Sequence, residues 1–360
     1  MASTTTAVRT AAVRMEEAAM MAQGNGGVVV ITGASSGVGR ACAEAFAARG
    51  WHVVLAARRA EELNEVARRC RERGTGRALP IPTDVTDAAA VDRLAQEAVA
   101  AFGRIDVWLN NAAVAAFGAL DEIPADVCRK VIDTDVMGYV YGARAALTAM
   151  RRQGSGTLIN VSSVVGASPV PYNAPYAVAK AAVRALGTSL RQELWLEGHR
   201  DVHVCTVLPA TMDTPFFQSA ANYSGRKVTP MAPVYTPERA ARTILRLARS
   251  PRRESYVGPA AAVLACWTKL FPGPTEKALA YQMNRSHLSR TESAPDTAGT
   301  VPHPLPGGAV RGGWGGTRRT AGRRLATAAL ATGVGYAVMR SACGRRLRRC
   351  GVARADCGDE

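Results

Sequence analysis

From Val28 onward, short β-branched runs alternate with longer Ala-rich segments of helical period. They read VVVITG then 38–49, HVVLAAR then 60–73, ALPIPT then 87–102, VWLNNA then 126–152, GTLINVSS then 175–196, and VHVCTVLP then 237–249. The short runs are apolar throughout rather than alternating, the mark of strands covered on both faces by helices. The pattern predicts an α/β fold, a doubly wound Rossmann-like parallel sheet, with residues 27–259 as the single main domain. In such a sheet ligands sit beyond the carboxyl ends of the strands, so the residues that follow each run are where chemistry is sought.

The rhythm stops past Pro259. Residues 260–285 are apolar and helical in pieces, broken by Pro272 and Pro274. Residues 286–320 turn to Pro, Gly, Ser, Thr and Arg, the composition of an irregular linker. Residues 321–360 form a basic tail around an apolar run, Leu325 to Met339. That run spans about 22 Å as a helix, short of the roughly 30 Å of a bilayer core, but arginines flank it and suit anionic headgroups. A tail held at a membrane surface and a free amphipathic tail both remain open. Residues 1–26 read as a flexible extension, since Glu16 and Glu17 interrupt any secretory pattern.

Charge and cysteine content narrow the function classes. The net charge of +16 invites a nucleic-acid reading, yet residues 301–360 hold eleven arginines against Asp356, Asp359 and Glu360, and so carry half of it. With few aromatics interleaved, that tail supports nonspecific attraction and no specific nucleic-acid partner. The eight cysteines are scattered without a C-x-x-C pair or a Cys/His cluster, so neither a metal site nor a disulfide framework is expected. A reducing, cytoplasmic setting follows, with membrane association through the C-terminal segment as the open variant.

At the strand ends, TGASSGVG puts Gly33, Gly37 and Gly39 in a turn that opens a helix, where bare backbone and free N–H groups suit a pyrophosphate. The second strand ends LAARR. Ala57 offers no carboxylate for a ribose 2′-hydroxyl, while Arg58 offers a guanidinium for a 2′-phosphate, which favours NADP(H) over NAD. Later strands end at Asp84 and Val85, at Asn110 and Asn111, and at Ser162 and Ser163. Polar residues there are often only turn formers, but several converge on one sheet edge.

The stretch PVPYNAPYAVAK offers two tyrosines. Pro175 suits the first turn of a helix that then contains Tyr176 and Lys180, four apart and on one face, whereas Tyr172 lies upstream in the Pro-rich approach. Tyr176 is therefore the candidate acid/base, with the neighbouring ammonium expected to pull its pKa down from about 10.

Taken together, these motifs resemble the short-chain dehydrogenase/reductase family over residues 27–259: TGASSGVG the cofactor glycine motif, NNAA (110–113) the N-N-A-G segment, YAVAK the Y-x-x-x-K, and LPATMDTPF the segment after the sixth strand. The resemblance implies that Tyr176 exchanges the proton, that Lys180 lowers its pKa and bonds the nicotinamide ribose, and that Ser163 holds the substrate oxygen. It implies cofactor contacts at Gly33, Ser35, Ser36, Gly37, Val38, Gly39, Arg58, Asp84, Val85, Asn111, Ala112, Tyr176, Lys180, Pro209 and Thr214. Three departures stand out. Asp135 replaces the family's Asn, which supports a proton relay to the lysine largely through its main-chain carbonyl; as a member of the catalytic set Asp135 either preserves that relay or, through its added carboxylate, pairs with Lys180 and shifts its pKa. Ala113 and Ala210 replace glycines.

The loop after the sixth strand carries Met212, Phe216, Phe217, Tyr223, Met231 and Tyr235, either an apolar substrate wall or anchors to the core. The expected function is NADP(H)-dependent interconversion of a lipophilic ketone or aldehyde and its alcohol. The alternative is a catalytically weak NADP-binding sensor or membrane-associated scaffold. The resemblance further implies a homo-dimer or tetramer built on the helices at 126–152 and 175–196.

Overall fold

The computed structural model describes residues 26–305 and 307–315. The elements run β1 (Val28–Thr32), α1 (Gly37–Ala47), β2 (His52–Ala57), α2 (Ala60–Arg73), β3 (Ala78–Pro82), α3 (Ala88–Phe102), β4 (Val107–Asn110) and β5 (Ala116–Phe117). They continue with α4 (Ala125–Ile132), α5 (Gly138–Gln153), β6 (Gly156–Val161), α6 (Ala174–Leu196), β7 (Val202–Pro209), α7 (Phe216–Ser219), β8 (Ala221–Asn222) and β9 (Arg226–Val228). The last are α8 (Pro237–Arg249), β10 (Glu254–Val257), α9 (Pro259–Leu270), α10 (Pro272–Gln282) and β11 (Leu288–Ser293).

Seven parallel strands form the main sheet in the order β10-β7-β6-β4-β1-β2-β3. Successive residues of one strand feed opposite cores, as their apolar character requires. Val29 and Ile31 pack with α1, α2 and α8, while Val28 and Val30 pack with α3 and α5. The chain moves outward from β1 to β3 on one side and restarts at β4 on the other, so the crevice between β1 and β4 is the topological switch point. Buried Trp108 needs a polar partner there, and its indole N–H donates to Asn110 Oδ1 at 2.8 Å.

Three features differ from the sequence reading. A seventh strand, β10, adds to β7. Its four residues, ESYV, are too short and too polar to stand out as a buried run. The helix expected over 126–152 is interrupted by a single wide turn, Asp133–Met137, of π type, a device that frequently marks functional sites. The segment expected as an irregular linker is ordered over its described part: β11 pairs antiparallel with β9, Thr297 bridges Asn222, and buried Val301 packs with Val114 and Ile123. Local composition misses this because the partners are supplied by a distant loop.

Of the described residues, no helix is long and apolar enough to cross a membrane, and no His/Cys/Asp/Glu group is arranged to hold a metal ion. The apolar run at 325–339, the rest of the basic tail and nearly all of the N-terminal extension lie outside the described residues.

Candidate active site

The Gly-rich turn after β1 is braced from the neighbouring strand. The Thr32 hydroxyl accepts the backbone N–H groups of Asn111 (2.9 Å) and Ala112 (3.2 Å), and the Asn111 amide donates to the Thr32 carbonyl at 3.0 Å. Asn111 thus holds the turn in place. Gly33 has φ +66, and a Cβ there would stand 2.8 Å from Ala112 Cα, so only glycine allows this approach. Ser36 precedes α1 as its N-cap without a side-chain bond to the helix, so the first N–H groups of α1 look outward for an acceptor, and that of Gly37 meets the Ala309 carbonyl at 3.0 Å. Thr214 comes up to the same turn, 3.3 Å from where a Gly37 Cβ would lie. Ser35 is buried, and its hydroxyl accepts from Arg59 at 3.2 Å.

Arg58 lies beyond β2 as expected, with its guanidinium donating to the Thr300 carbonyl at 2.9 Å. Asp84 turns back on its own loop, accepting from Thr86 N (2.8–3.0 Å including its hydroxyl), while Val85 is buried against Gly138. Ala113 and Ala210 are free of positive φ, since Tyr172 (φ 58) is the one non-glycine in that region among the described residues. The two alanine replacements therefore impose no backbone strain.

At the other end of the crevice, α6 opens with Asn173 as N-cap and Pro175 in its first turn, and it directs Tyr176 and Lys180 toward the sheet edge. Ser163, just past β6, lies close enough to the Tyr176 phenol to favour its ionised form, and its hydroxyl accepts from Val165 N at 3.2 Å. Ser162 has a different role: its hydroxyl donates to the Lys180 main-chain carbonyl at 2.7 Å, tying α6 to β6. Tyr172 sits on the rim, 38 % exposed, and does not share this cluster.

Lys180 is wholly enclosed, and its three ammonium protons are accounted for. They face Asp135 Oδ2 at 2.9 Å, the Tyr139 hydroxyl at 3.2 Å and the Val161 carbonyl at 3.4 Å. Asp135 is itself fully buried, and its second oxygen accepts from Val114 N at 2.8 Å. The π turn at Asp133–Met137 is what carries this carboxylate to the lysine. Tyr139, one further turn along, donates to Val161 at 2.8 Å and completes the cage. Its place four residues after Asp135 on the same helical track is the sequence signal for it.

This cage corrects one expectation. The Tyr176 pKa is pushed up to about 12 rather than down. Burial against an apolar face is the largest cause, and the nearby Asp135 and Tyr139 add to it. Lys180, 5.3 Å from the ring centroid, pulls the other way but is already neutralised by Asp135. For Asp135, burial pushes the carboxyl up, opposed by the Lys180 ammonium and the Val114 N–H.

The apolar loop residues divide. Phe216 packs 5.3 Å from the Tyr176 ring, Phe217 packs edge-on to Phe216, and Met231 joins the same cluster, so Phe216 flanks the tyrosine directly and the other two back it. Met212 is buried in the sheet core with Tyr235, and Tyr223 packs beside Val127, so those three are anchors.

Comparison with known proteins agrees with this geometry. The family model for short chain dehydrogenases matches residues 27–224. An uncharacterized oxidoreductase, YxnA, of Bacillus subtilis is 36% identical over 270 residues, covering 74% of this chain and 75% of the relative. A 3beta-hydroxysteroid dehydrogenase of Eggerthella lenta is 33% identical, covering 69% of this chain and 95% of its own. Among solved structures, a short chain dehydrogenase/reductase from Burkholderia phymatum in complex with NAD superposes with a TM-score of 0.63 at 27% identity, covering 69% of this chain and 94% of that one. With the glycine turn at the switch point and the serine, tyrosine and lysine gathered at the far end of one crevice, this chain belongs to the short-chain dehydrogenase/reductase family.

Proposed function

We propose that this oxidoreductase interconverts a lipophilic ketone or aldehyde and its alcohol with NADP(H). The reading rests chiefly on one observation: Tyr176, on one helix face with Lys180 and beside Ser163, packs against Phe216 in an apolar cluster that also holds Phe217 and Met231. The residues present fit a nicotinamide cofactor, since the Gly33 turn leaves no room for a Cβ and the α1 N-terminus has no side-chain cap. When bound, that cofactor supplies the hydride in reduction and receives it in oxidation. Tyr176, un-ionised at neutral pH, gives its proton to the carbonyl oxygen as charge builds there, and Ser163 steadies that oxygen. Lys180 favours the resulting phenolate, and the Asp135 carboxylate paired with it opposes that effect. The preference for NADP(H) is supported by Arg58 and the missing acid at Ala57. The lipophilic substrate class is supported by the aromatic wall and by the steroid activity named for the Eggerthella relative.

A homo-oligomer through α5 and α6 is the proposed assembly, supported by Val178, which is 60 % exposed on α6. A rival reading as a cofactor sensor is favoured by the Asp135 pairing, which leaves Lys180 less able to activate Tyr176. Consumption of NADPH and NADH over a panel of lipophilic carbonyls separates them, with Tyr176→Phe and Tyr172→Phe in parallel. Turnover preferring NADPH that survives loss of Tyr172 and falls about 10²–10⁴-fold without Tyr176 is expected. Cofactor binding with no turnover on any carbonyl or alcohol would favour the sensor.

A further inference from the structure

We infer that residues 300–305 and 307–314 form an internal strap seated along the cofactor groove, which the nicotinamide dinucleotide must displace to bind. This inference rests on the cofactor reading of the groove given above. The strap starts at Thr300, whose N–H and hydroxyl both donate to the Ser219 carbonyl, at 2.8 and 3.0 Å. It then runs past the arginines beyond β2 and the phosphate turn. Arg58 donates to the Thr300 carbonyl at 2.9 Å and to that of Pro302 at 3.5 Å. Arg59 donates to the carbonyls of Leu305 and Gly307, and Arg40 to that of Gly308. The Gly37 N–H, in the phosphate turn itself, donates to the Ala309 carbonyl at 3.0 Å. The strap leaves the crevice beside Thr214, where Gly312 lies against the Thr214 carbonyl and Trp314 N donates to Asp213 Oδ1 at 2.8 Å.

The chemistry is that of a stand-in for phosphate. Successive main-chain carbonyls point at guanidinium groups and at a turn N–H, which is the pattern a phosphate-bearing ligand would present. Neutral carbonyls are weaker partners for these cations than charged phosphate oxygens, roughly by half, so an anionic dinucleotide can take them over. The strap's own sequence is shaped for the fit: a Cβ on Gly308 would stand 2.8 Å from the Ser35 carbonyl, and one on Gly312 would collide with the Thr214 carbonyl. Apart from buried Val301 and from Val310, which packs on the main core, most of its residues bury little side chain, and its hold is largely hydrogen bonds to its main chain together with the exposed pair of Arg311 and Glu238 at 3.0 Å. Segments anchored in this way open at low free-energy cost.

The test uses the full-length chain and NADPH as the probe. Hydrogen exchange across residues 297–314 is followed with and without NADPH, and the NADPH Kd is measured for the unaltered protein, Gly308→Val, Gly312→Val and Arg311→Ala. If the strap competes, NADPH speeds exchange in the segment and each glycine variant binds NADPH about tenfold more tightly, because the competent state is no longer a minor one. Arg311→Ala, a surface change that leaves the fold intact, tightens binding in the same direction by a smaller factor. Slower exchange on NADPH addition, with unchanged or weaker binding in all three variants, would overturn the proposal and make the segment a clasp over bound cofactor. Failure of every form to bind NADPH or NADH would overturn the cofactor reading itself, and the strap's role with it.

Discussion

The two ends of the crevice treat positive charge differently. At the catalytic end, the Lys180 ammonium is enclosed by Asp135, Tyr139 and Val161, all from elements that pack directly on α6 or β6. At the cofactor end, Arg58 and Arg59 meet carbonyls from a segment more than two hundred residues away in the chain, with side chains only part-buried. The first arrangement is permanent, because an unpartnered buried charge costs several kcal/mol. The second is exchangeable, because neutral acceptors at a half-exposed cation are easily replaced by water or by a charged ligand. The difference separates a centre whose electrostatics are built into the fold from a groove whose charge awaits a ligand.

The largest effect that would break this comparison is on stability. Asp135→Ala strands the Lys180 ammonium and the Val114 N–H in the interior, and chemical denaturation is expected to show a loss of about 3–5 kcal/mol. A loss below about 1 kcal/mol would mean that Lys180 finds water or sheds its proton, and that the cage is not permanent. Arg58→Ala is expected to leave denaturation nearly unchanged while reducing the NADPH-over-NADH preference, about tenfold in the ratio of Kd values. Equal weakening toward both cofactors would place the 2′-phosphate elsewhere.

The subtlest prediction concerns pH. Asp135→Asn keeps the acceptor for Val114 but removes a negative charge that disfavours the Tyr176 phenolate, and it frees Lys180 to stabilise that phenolate. Both changes lower the Tyr176 pKa from about 12. The rising limb of alcohol oxidation, which needs the phenolate, should therefore move to lower pH by about one unit in the variant. Carbonyl reduction, which needs the phenol, should lose its high-pH plateau over the same interval. An unmoved profile would show that the carboxylate does not tune the tyrosine.

The features readable in advance share a physical cause. Val28–Thr32 is legible as a buried strand because each residue faces a core, and Tyr176 with Lys180 is legible because helical spacing puts both on one face once Pro175 sets the start. Gly33 is legible because its turn admits no Cβ. The short strand β10 was not, since four residues with a charge carry no period, and its place is set by β7 beside it.

What the sequence alone determined is therefore the parallel sheet, the glycine turn, and the placing of Tyr176, not Tyr172, on one helix face with Lys180, all of which depend on spacing within a few residues. Only the tertiary structure decided that Asp135 neutralises Lys180, that Tyr139 completes its cage, and that burial raises the phenol instead of the lysine lowering it. The same holds for the strap, whose glycines look like linker composition until they lie against Ser35 and Thr214. Charge pairing and groove occupancy depend on which remote segments the packed core brings together. Closing a long loop adds only a slowly growing entropic cost, so separation along the chain gives little warning of such contacts.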